Sequence, residues 1–211
     1  MIFYGKRVLF IGAHPDDIEL GAGALLHNIR DKSEIMCATL SDNQKNPMLQ
    51  NVVNEHRASM AVLGVSGDHD LIETFETRKF PHLRQEVLEY LLRLRSEFMP
   101  DIIFCHSQND IHQDHNVVTQ EALRAFRGLT LLGFDVVRSS YNFFPHFFVD
   151  VTEEDVDKKI EALSQYKTYH DKYYFDADLL RATMIRHGAL AERGYAEGFD
   201  ILRVVGKFQT C

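Results

Sequence analysis

Two short polar segments of the sequence each follow an apolar run and carry histidine beside carboxylates. They are AHPDDIE at residues 13–19, behind VLFI, and HSQNDIHQDH at residues 106–115, after DIIFC. In open α/β sheets, ligands bind beyond the carboxyl ends of the strands. Imidazole and carboxylate groups bind divalent metal ions, and catalytic zinc sites use three such ligands and leave a fourth position for water. The two segments therefore predict a metal site with hydrolytic chemistry.

The spacing of these residues allows them to share one ion. His14 and Asp17 lie three residues apart, and His112 and His115 repeat that spacing. The additional carboxylate, Asp16, could act as general base toward the water. Spacing alone does not decide whether Asp16 or Asp17 binds the metal.

A purely structural interpretation of the same residues stays open. Asp16 and Asp17 could cap the helix that begins near Ile18, Asp114 could cap the following helix, and His112 could lie in a surface loop. Two such segments at strand ends that a parallel sheet brings side by side favour the metal site. A dinucleotide site is excluded, because carboxylates stand where a glycine-rich loop would present bare backbone to a pyrophosphate.

The rest of the sequence predicts the sheet that positions these segments. Predicted strands alternate with predicted helices, which indicates an α/β, Rossmann-like, doubly wound and mostly parallel sheet with helices on both faces. Strands are expected at RVLFIGA, SEIMCATL, HDLIETF, DIIFCH, VVRSSYNFF, HFFVDV and FDILRVV. Helices are expected at ELGAGALLHNIR, NVVNEHRASMAVLG, HLRQEVLEYLLRLRSEF, DHNVVTQEALRAFRG, TEEDVDKKIEALSQY and DADLLRATMIRHGALAERG. No repeat or linker divides the chain, so residues 1–211 are expected to form a single domain, with a mobile loop at residues 41–51 beside the ligand cleft.

Composition limits the partners and the compartment. A formal net charge of −8 argues against nucleic acid, since neutralising phosphates needs clustered basic residues. No apolar stretch reaches the roughly 18–20 residues that span a bilayer, and the first apolar run is too short for a secretory signal. Cys37 and Cys105 lie in apolar runs and Cys211 lies far from both. This cysteine usage fits a reducing compartment, so a cytoplasmic protein is expected.

AHPDDIE together with HQDH resembles the zinc-dependent deacetylases of the PIG-L/LmbE type, which remove the acetyl group from N-acetylglucosamine conjugates. FFVDV before a lysine-bearing helix, and YAEGFDILR near the end, are similar to less specific segments of that family. The resemblance thus extends over most of the chain. It implies a hydrolase that deacetylates an N-acetylglucosamine-type sugar conjugate with Zn²⁺ or Fe²⁺, and releases acetate and a free amino sugar.

Carried over position by position, the resemblance implies that His14, Asp17 and His115 bind the metal and that Asp16 is the general base. His112 would stabilise the oxyanion that forms at the acetyl carbonyl.

The resemblance also implies supporting roles and a route for the second proton. Asp114 would orient a histidine, and Glu19 would support the loop. The departing amine would receive its proton from Asp16 or from protonated His112.

Departures from the family pattern leave the substrate open. Many members carry a substrate-binding arginine just before the helix predicted near residue 52; here Arg57, one turn later, could replace it or face solvent. The aromatic segment 139–148 could wall the sugar site with Tyr141 and His146, or form a core strand bent at Pro145.

Other functions therefore stay open beside the deacetylase. One is hydrolysis of another acyl amide, such as a nucleotide-linked sugar or an antibiotic intermediate. The other is a non-catalytic metal- or ligand-binding module, which would have no use for Asp16. A homo-oligomer is compatible with the sequence.

Overall fold

The computed structural model describes residues 2–43 and 45–206, which contain seven strands and six α-helices. The strands are β1 (Arg7–Gly12), β2 (Glu34–Thr39), β3 (Asp70–Ile72), β4 (Ile102–His106), β5 (Thr130–Phe134), β6 (Phe147–Val151) and β7 (Tyr195–Arg203). The helices are α1 (Asp17–Ile29), α2 (Val52–Val62), α3 (Arg84–Phe98), α4 (Gln113–Ala125), α5 (Glu153–Leu163) and α6 (Ala177–Leu190).

The seven strands form one sheet in the order β3-β2-β1-β4-β5-β7-β6. The first five strands in this order are parallel to one another, and β7 is antiparallel to both β5 and β6. β1 lies beside β4, with Phe10 paired to Phe104. The segments that leave the carboxyl ends of these two strands therefore begin next to each other.

Alternate residues of β1 enter two separate cores. Val8 and Phe10 pack in one core with residues of α1, α2 and α5, and Leu9 and Ile11 pack in the other with residues of α3 and α4. All four side chains are fully buried. A strand buried on both faces is continuously apolar in sequence. The predicted α/β sheet with helices on both faces is confirmed.

Two helix ends show capping residues of the usual types. Thr152 precedes α5, accepts the N–H of Asp155 and donates its own N–H to the Asp155 carboxylate, which makes a reciprocal capping box. Gly64 follows α2 in a left-handed conformation with φ of 86°, which glycine adopts without steric cost.

The segment VVRSSYNFF, residues 136–144, is not a strand, so that prediction is wrong. It makes a turn in which the Val136 carbonyl accepts the N–H groups of Ser139 and Ser140. Its Ser139 carbonyl accepts the N–H of Ile111, and Ser140 forms an isolated bridge with Asp110, so the segment contacts the loop after β4 without joining the sheet. The closing strand, β7, begins at Tyr195, earlier than the predicted Phe199.

Cys37 and Cys105 are buried free thiols, as predicted, and Cys211 lies outside the described residues. Among the described helices, none has the length and apolar character needed to cross a membrane.

Candidate metal centre

The segments that follow β1 and β4 meet at one cleft of about 610 Å³. His14 and Asp17 reach it from the turn and helix start after β1, and His112 and His115 reach it from the segment and helix start after β4. A volume of this size is typical of small-molecule sites. The two polar segments of the sequence therefore converge at the carboxyl edge of the sheet.

Three side-chain atoms form a nearly equilateral triangle at the base of this cleft. His14 Nδ1 and His115 Nε2 are 3.3 Å apart, and each lies 3.4 Å from Asp17 Oδ2. Ligands about 2.0–2.2 Å from a tetrahedral ion stand about 3.3–3.6 Å from one another. The spacing of the triangle is therefore the spacing that a tetrahedral metal ion requires.

The outward nitrogens of both histidines are bound by carboxylates. His14 Nε2 donates to Asp114 Oδ2 at 3.0 Å, and His115 Nδ1 donates to Asp110 Oδ2 at 2.8 Å. A neutral imidazole that donates from one nitrogen carries a lone pair on the other. Both lone pairs therefore face Asp17 Oδ2, which also accepts the N–H groups of Ala13 and His14 at 3.0 and 2.8 Å. A cation inside the triangle would be bound by all three atoms.

The electrostatics of the triangle also favour positive charge. Burial lowers the pKa of His14, but hydrogen bonds and charge from Asp114 and Asp17 outweigh it and raise the pKa to about 9. Burial opposes ionisation of Asp17, and the neighbouring histidines lower its pKa well below the usual range. Without a metal, a proton on His14 takes the place of the cation.

His106, the last residue of β4, offers a second set of donors with Asp17 and His115. It is fully buried and stacks on the His115 ring with centroids 3.8 Å apart. Burial, followed by the His115 charge, lowers its pKa to about 3. Its Nε2 accepts the Ala13 N–H at 3.1 Å, so that lone pair is already used. This favours the triangle that contains His14.

Asp16 occupies the N-cap position of α1 without acting as a cap. Its side chain makes no capping hydrogen bond, and its φ of 97° lies in a region that residues other than glycine rarely adopt. Strained backbone of this kind clusters at functional sites. Burial, followed by the charges of Asp17 and Glu19, raises the pKa of Asp16 well above its usual range. The capping interpretation therefore fails for Asp16, whose side chain lines the cleft.

His112 is the N-cap of α4, so Asp114 does not have that role. The Nδ1 of His112 accepts the Asp114 N–H at 3.2 Å. In the neutral ring the proton is then on Nε2, which makes that nitrogen a donor. Burial, followed by the charges of His115 and His14, lowers the pKa of His112 to about 4. His112 lines the cleft, so it is not a surface loop histidine.

The supporting residues extend beyond those predicted. Asp114 contacts His14 as expected, whereas Asp110, which binds His115, was missed, although it stands in the same polar segment. Glu19 accepts the Tyr166 hydroxyl at 2.6 Å and lies 3.3 Å from His56 Nδ1.

The three predicted substrate contacts do not line the cleft. Arg57 is held by an ion pair with Asp70 at 2.6 Å. Tyr141 is 74% exposed. The backbone N–H of His146 donates to the Phe199 carbonyl at the start of the β6–β7 pairing. Four other segments contribute residues to the cleft mouth. They lie within residues 41–43 and 45–49, which belong mostly to the predicted loop, and within residues 74–78, 136–138 and 168–174.

Two histidines and one carboxylate at the strand ends of an α/β sheet are typical of metal-dependent hydrolases. The family described as PIG-L, GlcNAc-PI de-N-acetylase, matches residues 9–126, more than half of the chain. The chain belongs to this family, as the resemblance implied. It is 30% identical over 170 residues to the uncharacterized deacetylase YaiS of Escherichia coli K12, an alignment that covers 77% of this chain and 91% of YaiS.

Solved structures share the fold at low sequence identity. N,N'-diacetylchitobiose deacetylase from Pyrococcus horikoshii superimposes with a TM-score of 0.77 at 20% identity, covering 93% of this chain and 84% of that one. A 4-carboxy-2-hydroxymuconate hydratase from Pseudomonas putida KT2440 superimposes with a TM-score of 0.75 at 16% identity, covering 98% and 100%. The same fold therefore serves more than one reaction, and the site must decide the function.

Proposed function

We propose that this protein is a metal-dependent hydrolase that removes the acetyl group from an N-acetylglucosamine-type sugar conjugate and releases acetate and a free amino sugar. The observation that carries the proposal is the triangle of His14 Nδ1, Asp17 Oδ2 and His115 Nε2, with Asp16 and His112 at the same cleft. Membership of a de-N-acetylase family and the likeness to YaiS support the same reaction.

The three triangle residues would hold the metal, and we propose zinc, with iron(II) as the alternative that the same ligand types accept. A divalent ion there would polarise the acetyl carbonyl and lower the pKa of water toward about 7.

Asp16 acts as the general base in this proposal. Its carboxylate accepts a proton from the water that attacks the acetyl carbon. It makes no hydrogen bond that would compete for its lone pairs among the described residues, and the charges around it favour taking up a proton.

His112 stabilises the oxygen of the acetyl carbonyl as negative charge develops on it. The donor is the Nε2–H group, because Nδ1 accepts the Asp114 N–H. His112 has a lowered pKa and is neutral at pH 7. The proton for the departing amine is therefore assigned to Asp16 and not to His112.

Two alternatives to the deacetylase are a non-catalytic binding module and a hydratase. A binding module on this fold has no need of a strained, uncapped carboxylate such as Asp16, and a hydratase would not release acetate. We further propose a cytoplasmic location, in line with two buried free thiols.

The test is acetate release from a panel of N-acetylglucosamine conjugates, N-acylated nucleotide sugars and sugars with longer acyl groups. The expected result is acetate from at least one N-acetylglucosamine conjugate, lost on treatment with a chelator and restored by zinc or iron(II). Absence of acetate release from every conjugate by the metal-loaded protein would contradict the proposal. Preferential release of a longer acyl group would instead support the alternative that the protein hydrolyses an acyl amide other than an acetamide.

A further inference from the structure

Each of the four segments around the mouth of the cleft contributes one basic side chain. These are Lys45, Arg78, Arg138 and Lys172. Lys45 is paired with Glu76 at 2.6 Å, and Lys172 has a loose contact of 3.8 Å with its neighbour Asp171. No ion pair joins Arg78 or Arg138 to a carboxylate of the described residues. Both arginines line the cleft, and neither is neutralised by an ion pair with a carboxylate of the described residues.

Arg78 is anchored through its backbone next to the candidate metal centre. Its N–H donates to Asp114 Oδ2 at 2.6 Å, and its carbonyl accepts the Gln113 side chain at 2.6 Å. Asp114 is also the acceptor for His14. The φ of Arg78 is 68°, in the left-handed region. Maintaining this conformation for arginine costs energy, and it places the residue at the cleft, two hydrogen bonds from the candidate metal ligand His14.

Arg138 lies in the turn at residues 136–144, which the sequence predicted as a strand. Its guanidinium donates to the Tyr174 hydroxyl at 3.2 Å and lies over the Tyr174 ring, 5.2 Å from the centroid. An aromatic face orients a guanidinium without neutralising its charge. Arg138 is therefore fixed in position while its charge is retained.

The charge of the cleft differs from that of the whole chain. Its lining has four basic side chains and four carboxylates, those of Asp16, Asp17, Asp42 and Glu76. A divalent ion would make the cleft net positive in a chain with a formal net charge of −8. The acidic surface of the protein repels anions, whereas a net positive cleft would attract them. The cleft would therefore favour anionic ligands.

We propose that the sugar substrate carries an anionic group, a phosphate or a carboxylate, and that Arg78 and Arg138 bind this group. This inference rests on the proposed function, because it assumes that the sugar substrate binds in this cleft. Guanidinium groups bind both anions through paired N–H donors. The alternative is that the arginines only offset the charges of Asp16 and Asp17, in which case the ligand's own charge would not matter.

The test uses deacetylated product sugars, because they bind without being turned over. Calorimetric affinities of the purified wild-type protein are compared for glucosamine 1-phosphate, for muramic acid as the carboxylate and for neutral methyl glucosaminide. We expect at least one anionic sugar to bind about tenfold or more tightly than the neutral one, the range for hydrogen bonds to charged groups. The anion that gains affinity is the group that is recognised, and its affinity should fall with added salt.

Variants locate the effect. Arg78→Gln and Arg138→Gln should each remove most of the gain for the anionic sugar and leave the neutral sugar within about twofold. Arg127→Gln changes an exposed arginine outside the cleft and should retain the wild-type preference. Equal affinities for all three sugars, no binding of either anion, or equal losses for charged and neutral sugars would overturn the inference.

Acetate release without any charge preference would overturn this inference alone, whereas charge-selective binding without acetate release would overturn the proposed function alone.

Discussion

His112 differs from the other cleft histidines in which ring nitrogen carries the proton. His14 and His115 donate outward to carboxylates and turn lone pairs inward. His112 accepts a backbone N–H through Nδ1 and presents Nε2–H. These hydrogen bonds make His14 and His115 candidate metal ligands and His112 a candidate hydrogen-bond donor to the substrate.

Replacing His112 should lower kcat far more than it raises KM. The charge that its N–H meets exists only in the transition state, so substrate binding should barely change. Losing one such donor costs about 10²–10³ in kcat in other hydrolases. The variants are His112→Ala and His112→Asn, the second of which keeps a side chain that can cap α4. Steady-state kinetics that stay within a few-fold of wild type in both would contradict the assignment.

Asp16→Asn should keep the metal and lose activity by about 10²–10⁴, because an amide cannot accept the proton from water. Asparagine tolerates the left-handed backbone better than most residues, so the fold should persist. Acetate release and elemental analysis check this, with the exposed Asp31→Asn as control. Near-normal turnover by the metal-containing Asp16→Asn protein would place the base elsewhere.

At the scale of elements, α1 is bent just behind its N-terminal end, which lines the cleft. Ala22 has non-helical angles, φ −146° and ψ 18°. Glu197 of β7 accepts the N–H groups of Ala24 and Leu25, and Lys159 of α5 donates to the Leu20 carbonyl at 2.7 Å and to Glu197 at 2.6 Å. This buried pair satisfies the backbone groups that the bend leaves free.

Lys159→Met should destabilise the fold by about 3–5 kcal/mol, because it leaves the Glu197 carboxylate buried without its partner. Lys158→Met is the matched control: its pair with Glu161 is exposed, so its loss should cost less than about 1 kcal/mol. Denaturant unfolding measures both. Equal costs for the two variants would show that the buried pair does not hold the bend.

Patterns within one segment predicted much of the fold and the site. Continuous apolar runs identified β1, β2 and β4, whereas the parallel strand β5 was not predicted. Short polar motifs marked Asp16, Asp17, His14, His112 and His115 as candidates, and only the family resemblance chose among them. His106 opens the polar segment HSQNDIHQDH but was not singled out, because it also ends the apolar strand β4. The role of Arg57 was misplaced because its partner, Asp70, comes from another element.

The segment at residues 136–144 shows why periodicity alone can fail. Its apolar residues resemble those of a strand, but local hydrogen bonds make it a turn at the cleft. The orientation of Tyr141 and His146 could not be derived without that turn.

At the scale of the whole molecule, the candidate centre joins elements that are far apart in sequence. Its donors come from the starts of α1 and α4, and both helices pack on the central strands. All seven strands lie in one sheet; the single domain over residues 1–211 stays a prediction.

Metal binding should therefore stabilise the whole fold. A ligand that binds only the folded state raises stability by about 2.7 kcal/mol at a hundred times its Kd. Chelator treatment should lower Tm, and added zinc or iron(II) should restore it. The Asp17→Ala protein should show no such dependence. A wild-type Tm that is insensitive to both treatments would contradict this prediction.

The most direct test of the central claim is the metal content of five alanine variants, measured by elemental analysis after identical purification. His14→Ala, Asp17→Ala and His115→Ala each remove one corner of the triangle and should lose the metal or bind it weakly. His106→Ala and His112→Ala remove neighbouring imidazoles and should retain close to one ion per chain. Full metal in all three triangle variants would contradict the account, as would loss of metal in His106→Ala or His112→Ala with retention in His14→Ala or His115→Ala.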